Sequence, residues 1–194
     1  MRWLLISATL GMILPAGAAA VESHPERARA GMLDVHNAVR DRVHPDLPAL
    51  SWSEQAAEQA QDWADTLARD GCQMRHTPTL QDYGQNLFWV GPRREVTTAR
   101  SAQTGEILNR DVSLSVQEIT AGDVVESWAS EKQWYDYESN ACRAPKGQSC
   151  GHYTQIVWAD TLAVGCGMSV CEDKGQIWVC NYHPAGNVAG QRPY

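Results

Sequence analysis

Apolar residues recur at helical spacing near the start of the chain. Met32, Val35, Val39 and Val43 fall at steps of three and four residues, which predicts a first helix with one apolar face. Pro45 follows and predicts the end of this helix, because proline cannot continue a helical hydrogen-bond ladder.

A second helix is predicted after Ser53, which can cap its first turn, and before Gly71, which suits a left-handed stop. Its apolar stripe consists of Ala56, Ala60, Trp63, Ala64 and Leu67. A third helix is predicted from Thr120, which forms a capping pattern with Asp123, to about Tyr135.

The remaining segments have other patterns. Residues 91–119 lose helical period and gain polar residues, which predicts an exposed insertion with a short strand at 112–116. Residues 152–158, 163–171 and 176–182 are predicted strands, the last two joined as an antiparallel hairpin. Helices followed by strands predict an α+β sandwich.

The N-terminus has the pattern of a secretory signal over residues 1–20. Arg2 precedes an apolar stretch at 3–14, and Ala18 and Ala20 offer a small-residue cleavage site. A retained membrane anchor is the alternative, which the short apolar run disfavours. We therefore expect a secreted protein, or a periplasmic one if the source is bacterial, with no transmembrane segment in the mature chain. Residues 21–31 are polar and expected to be disordered.

Charge and cysteine content narrow the class of protein. With 23 acidic and 16 basic residues the net charge is −7, which argues against nucleic acid as a partner because phosphates require a basic surface. The six cysteines of an exported chain predict three disulfides whose pairing the sequence alone leaves open. A zinc knuckle is the alternative, but the chain has no C-x-x-C pair.

Three side chains are candidates for chemistry. Glu131 falls on the apolar face of the predicted third helix, and a buried carboxylate needs a cation, a metal or several hydrogen-bond donors. Arg40 is a candidate partner for a purely structural ion pair. His76 and His152 are either structural histidines or, together with Glu131, a metal or acid–base cluster. The signatures of zinc proteases, serine hydrolases and nucleotide-binding proteins are missing from the sequence.

Four motifs resemble those of the CAP superfamily, which comprises cysteine-rich secretory proteins, venom antigen 5 and plant pathogenesis-related protein 1. Residues 151–158 and 177–187 resemble its two signature motifs. Residues 36–40 resemble its first-helix motif, and 83–87 resemble its Tyr-Gly-Glu-Asn-Leu segment. The match runs from Met32 to Tyr194, and its last five residues are similar to the plant proteins in particular.

The resemblance implies a three-layer α-β-α sandwich with a central antiparallel sheet, formed by a CAP domain at 32–194 that contains the insertion. It also implies a groove lined by His76, Gln85, Glu131 and His152. Gln85 departs from the family glutamate and carries no charge. The disulfides that it implies are Cys72–Cys171, Cys142–Cys150 and Cys166–Cys180.

Three functional hypotheses follow from the resemblance. The leading one is a secreted, monomeric, non-catalytic binding module for a sterol, a fatty acid or another small apolar ligand, which requires no cofactor. The second is a zinc-dependent hydrolase with His76 and His152 as metal ligands and Glu131 as base. The third is a defence or virulence factor that acts through a receptor. Residues that either line the binding site or belong to the core are Phe88, Trp89, Trp134, Tyr135 and Tyr137.

Overall fold

A computed structural model describes residue 29, residues 31–78 and residues 82–194. The predicted signal at 1–20 lies outside these residues, as does most of the segment 21–31. The helices are α1 (Met32–Val43), α2 (Glu54–Arg69), α3 (Ala121–Ala129), a 3-10 helix (Ser130–Trp134) and α4 (Gly151–Ile156). The strands are β1 (Ser51–Trp52), β2 (Gly84–Val90), β3 (Arg93–Arg100), β4 (Ile107–Ser115), β5 (Tyr135–Asp136), β6 (Ala141–Cys142), β7 (Ala163–Val170) and β8 (Gln176–His183).

A four-stranded sheet with the order β1-β7-β8-β2 forms the middle layer. The two-residue strand β1 is parallel to β7, and the other pairs are antiparallel. Helix α2 packs on one face of the sheet, where Leu67 meets Ile177, and α1, α3 and α4 lie on the other, where Trp128 and Ile156 meet Trp178. The expected α-β-α sandwich is confirmed, with a sheet that is antiparallel except for β1.

Two glycines of β7 allow α2 to approach the sheet closely. A Cβ atom on Gly165 would lie 2.2 Å from the backbone nitrogen of Ala57, and one on Gly167 would lie 2.4 Å from Cα of Gln61. Both contacts are with the helix backbone, which cannot move aside as a flexible side chain can. Only glycine therefore fits at these two positions.

The residues predicted to begin and end helices have these roles in the structure. Ser53 accepts a hydrogen bond from the Ala56 amide at 3.2 Å, and Gly71 has φ 74°. Thr120 and Asp123 form a capping box. The third helix extends to Trp134, close to the predicted end at about Tyr135, but it is α-helical only to Ala129. Glu131 lies on the 3-10 helix that forms its last part.

The prediction of a strand at 152–158 is wrong, because residues Gly151–Ile156 form helix α4. Both ends of this short helix are held by charged side chains from elsewhere in the fold. Glu131 accepts hydrogen bonds from the backbone amides of His152 and Tyr153, and Arg40 donates to the carbonyl of Ile156. These contacts satisfy backbone groups that a short helix leaves unpaired, and they outweigh the strand propensity of this aromatic and β-branched segment.

The segment 91–119 contains more regular structure than the predicted short strand at 112–116. Strands β3 and β4 form an antiparallel hairpin, and every residue of both strands is exposed.

The six cysteines form the disulfides Cys72–Cys171, Cys142–Cys150 and Cys166–Cys180, the pairing that the resemblance implied. The first joins the segment after α2 to the end of β7. Because all six sulfurs are paired, no thiolate remains for a zinc knuckle. In the part of the chain that the structure describes, every helix is too short or too polar to traverse a lipid bilayer.

Candidate functional site

Glu131 and His152 form a hydrogen-bonded pair at the start of α4. Oε1 of Glu131 lies 2.6 Å from Nδ1 of His152, and its Oε2 accepts from the backbone amides of His152 at 2.9 Å and Tyr153 at 3.2 Å. One carboxylate thus receives three hydrogen bonds and caps the N-terminus of the helix, where a negative charge is favoured.

This contact also fixes the orientation of the His152 ring. Because the carboxylate oxygen can only accept, Nδ1 of the neutral imidazole carries the proton and Nε2 is left with a lone pair. The ring is stacked near Trp128, with centroids 6.2 Å apart and planes 24° apart. His152 is therefore oriented as a hydrogen-bond acceptor or metal ligand.

His76 and Gln85 form a second pair. Oε1 of Gln85 accepts from Nδ1 of His76 and from the backbone amide of Thr77, both at 3.1 Å. The amide nitrogen of Gln85 donates to Oγ1 of Thr77 at 3.0 Å and to Oδ1 of Asn181 at 2.9 Å. The amide group uses all of its donors and acceptors within the fold, and His76 also keeps a lone pair on Nε2.

Both pairs contact β2, which is an edge strand of the sheet. Gln85 and Asn86 are consecutive, so their side chains point to opposite faces. Asn86 donates a hydrogen bond of 3.1 Å to the backbone carbonyl of His152, which connects strand β2 to the Glu131–His152 pair. Within the described ranges, no three His, Cys, Asp or Glu side chains converge as a metal site would require.

A cavity of about 240 Å³ opens beside Glu131 and His152. Among the predicted lining residues, Phe88, Trp89 and Trp134 line it, whereas His76 and Gln85 do not. Tyr135 lines a different cavity of about 470 Å³, and Tyr137 stacks on Tyr194 with centroids 4.8 Å apart. The cavity therefore combines the Glu131–His152 pair with an aromatic wall.

The model of one known protein family matches most of the chain. Residues 33–182 match the family described as CAP, the cysteine-rich secretory protein family. The chain belongs to this family. It is 37% identical over 171 residues to pathogenesis-related protein 1C of Nicotiana tabacum, with 88% of this chain and 83% of that protein covered.

Solved structures share the fold of this CAP protein. BmVAL-1 has a TM-score of 0.62 at 21% identity, with 94% of this chain and 86% of that chain covered. NaASP2, whose crystal structure is described as containing Zn²⁺, has a TM-score of 0.57 at 21% identity, with 87% and 85% covered. The disulfides and the pathogenesis-related relatives of this CAP protein are consistent with an extracellular location.

The alternative in which Arg40 pairs with Glu131 is not what the structure of this CAP protein contains. Arg40 is 1% exposed, and its guanidinium group donates to the carbonyls of Pro48, Ile156 and Trp158 at 2.8–2.9 Å. Burial lowers the pKa of Arg40 to about 10, so the group remains a cation at neutral pH. It binds the C-terminal end of α4, where a positive charge is favoured.

A buried network lies behind the site, and sequence reasoning missed it. Asn86 donates to the Tyr182 hydroxyl at 3.0 Å, and this hydroxyl lies 2.7 Å from Nε2 of His36. Nδ1 of His36 donates to the Met32 carbonyl at 2.8 Å. His36 lies four residues after Met32, on the buried face of α1, and this spacing is the signal in the sequence that could have identified it. That face contains His36 and Arg40, whereas Val35 and Val43 are only half-buried.

Proposed function

We propose that this chain is a secreted, non-catalytic binding protein that receives one end of a small amphipathic ligand in the cavity beside Glu131 and His152. The observation that carries the proposal is the state of Glu131, whose two oxygens receive three hydrogen bonds from α4. A carboxylate held in this way supports the helix and orients His152. It is poorly suited to removing a proton from water, as a hydrolase would require.

The walls of the cavity favour an apolar ligand with a hydroxyl group. Phe88, Trp89 and Trp134 provide aromatic surface, and the lone pair on Nε2 of His152 is available to accept a hydrogen bond from a ligand. An ionised carboxylate has no proton to donate to Nε2 and would be repelled by Glu131. The chemistry of the site therefore favours a sterol-type alcohol over a fatty acid.

The volume of the cavity limits how much of a ligand it can hold. Its volume of about 240 Å³ is below the range of about 300–1,000 Å³ that encloses most drug-sized ligands. Trp89 and Met74 line the cavity and are 45% and 52% exposed. We expect the hydroxyl end to enter the cavity and the apolar body to lie across these two side chains.

The test is direct titration of the purified protein with a fluorescent sterol and a fluorescent fatty acid. Trp134→Ala is expected to weaken sterol binding about tenfold, because an aromatic wall contributes on the order of 1.5–3 kcal/mol when fully buried. Trp52→Ala is the matched control, since Trp52 lies on β1 at the other edge of the sheet. Absence of sterol binding by the unmodified protein, or equal losses in both variants, contradicts the proposal.

A second candidate function is zinc binding through His76 and His152. It is favoured by one observation: each imidazole donates its Nδ1 proton to a side-chain oxygen, which is the usual outer-shell arrangement of a histidine that binds a metal through Nε2. NaASP2 is described with Zn²⁺. Two imidazoles fit zinc chemically, but a tetrahedral site needs water or a ligand oxygen for its other positions. The ion would supply a Lewis acid that holds such an oxygen.

Calorimetric titration with zinc tests this candidate without any assay of activity. We expect stoichiometric binding that is lost in His76→Ala and in His152→Ala and retained in His44→Ala, a control at an exposed histidine. Affinity should fall with acidification, because a ligating imidazole must be neutral. Unchanged binding in both site variants would exclude the two histidines as the ligands.

A further inference from the structure

The hairpin formed by β3 and β4 has two chemically different faces. The register pairs Arg94 with Leu114, Val96 with Val112 and Thr98 with Arg110. Paired residues share a face, and alternate residues along a strand do so too, so these six side chains form one surface. We call this surface the cationic face; it consists of Arg94, Val96, Thr98, Arg110, Val112 and Leu114.

The opposite face carries the acidic residues of the two strands. Glu95 and Asp111 both lie there, and Arg93 is neutralised by Glu95 at 3.2 Å. By contrast, the side chains of Arg94 and Arg110 form neither an ion pair nor a hydrogen bond with any described residue. The hairpin therefore carries unpaired positive charge on one face and the negative charges on the other.

The cationic face is also unusually apolar for an exposed surface. Three of its residues, Val96, Val112 and Leu114, are 44%, 46% and 46% exposed. Two further apolar residues of the hairpin, Ile107 and Leu108, lie next to this face near the turn and are 53% and 67% exposed. These five make up half of the ten strongly exposed large apolar residues in the described part of the chain. An isolated two-stranded hairpin is marginally stable in water, so an exposed apolar face on one indicates a surface that becomes covered.

From these features we infer that the cationic face of the β3–β4 hairpin docks on anionic lipid membranes. Unpaired guanidinium groups complement lipid phosphates, while the aliphatic side chains between them enter the boundary of the acyl region. Long arginine side chains can reach the headgroups while their stems lie against apolar groups. The acidic face points away from the lipid in this orientation.

Other partners fit the same surface less well. A soluble polyanion would bind the arginines but gain nothing from Val96, Val112 and Leu114. Two copies stacked symmetrically on this face would bring unpaired arginines together without a counter-charge, which is unfavourable. The net charge of −7 does not prevent docking, because at physiological salt charges act over only about 8 Å.

The test is sedimentation of the full chain with vesicles of phosphatidylcholine alone or mixed with phosphatidylglycerol. We expect binding to the mixed vesicles that weakens with added salt. The double variant Arg94→Gln/Arg110→Gln should bind about 25-fold more weakly, about fivefold for each cation near an anionic lipid surface. Arg93→Gln removes one positive charge from the opposite face of the hairpin, and this variant is expected to bind as the unmodified protein does.

The variant Leu114→Ser distinguishes a lipid membrane from the other candidate partners. It should weaken vesicle binding about tenfold through lost apolar contact, whereas Leu162→Ser, at a 55% exposed leucine outside the hairpin, should not. The inference would be overturned by no binding to mixed vesicles, by equal losses in Arg93→Gln and the double variant, or by binding to heparin and to vesicles that Leu114→Ser leaves unchanged in both cases. A dimer in sedimentation velocity that Leu114→Ser abolishes would assign the surface to a second copy instead.

Discussion

Acidification should destabilise this protein through one buried histidine. His36 has 0% exposure, donates from Nδ1 to the Met32 carbonyl and accepts at Nε2 from the Tyr182 hydroxyl. Burial lowers the pKa of His36 from 6.5 to about 4; the bond to Met32 opposes this change and the nearby charge of Arg40 adds to it. The neutral imidazole is therefore the form that the fold accommodates.

The sign and size of the effect follow from the two pKa values. Between pH 6.5 and about 4 the unfolded chain binds a proton at this histidine and the folded chain does not, so stability falls as pH falls. At about 1.4 kcal/mol for each pH unit, the complete loss is about 3 kcal/mol. This loss of stability is absent above pH 6.5 and complete below about pH 4.

The assay is urea unfolding at a series of pH values, with the free energy of unfolding compared between the unmodified protein and His36→Gln. Glutamine does not titrate and its oxygen can accept from Tyr182, so the stability difference between the two proteins should shrink by about 3 kcal/mol on acidification. His44→Gln, at an exposed histidine, controls for removal of an imidazole. If His36→Gln has the same pH dependence as the unmodified protein, the reasoning about His36 is refuted.

Further changes at Glu131, at two disulfides and at Gly165 test the fold by denaturant unfolding. Glu131→Ala should lower the free energy of unfolding by about 2 kcal/mol, because it leaves helix amides without an acceptor, and Glu131→Gln should lower it less; equal losses would argue against the capping role. Removing Cys72–Cys171, with a separation of 99 residues, should cost about 4–5 kcal/mol, and removing Cys142–Cys150, with a separation of 8, about 2–3 kcal/mol; the reverse order would contradict the loop-length argument. Gly165→Ala should destabilise by more than about 3 kcal/mol through its clash with the α2 backbone, and a neutral result would show that α2 can shift.

Elements whose limits are set by neighbouring residues could be predicted from the sequence. Ser53 and Gly71 delimit α2, and Thr120 with Asp123 begins α3. The hairpin of β7 and β8 has strand-forming residues and a short connection. In each case the residues that determine the structure lie within a few positions of it.

Helix α4 could not be predicted in this way, since the groups that stabilise its ends are distant in sequence. Glu131 precedes it by about twenty residues, and Arg40 lies more than 100 residues before its last carbonyls. The same limitation applies to His36, whose partner Tyr182 is 146 residues away. The resemblance to known motifs pointed to His76, Gln85, Glu131 and His152, but it did not reveal the hydrogen bonds that join them as two pairs.

The glutamine at position 85 is matched to its neighbours. Its amide nitrogen donates to Oδ1 of Asn181, and the amide nitrogen of Asn181 in turn donates to the carbonyl of Ala56. A carboxylate at position 85 would put an acceptor against another acceptor, and turning Asn181 round would break its bond to α2. The two histidines therefore have different support: an anion behind His152 and a neutral amide behind His76. Because a carboxylate makes an imidazole the stronger ligand, His152 should hold a ligand or metal more strongly than His76. His152 also lines the cavity, whereas His76 does not.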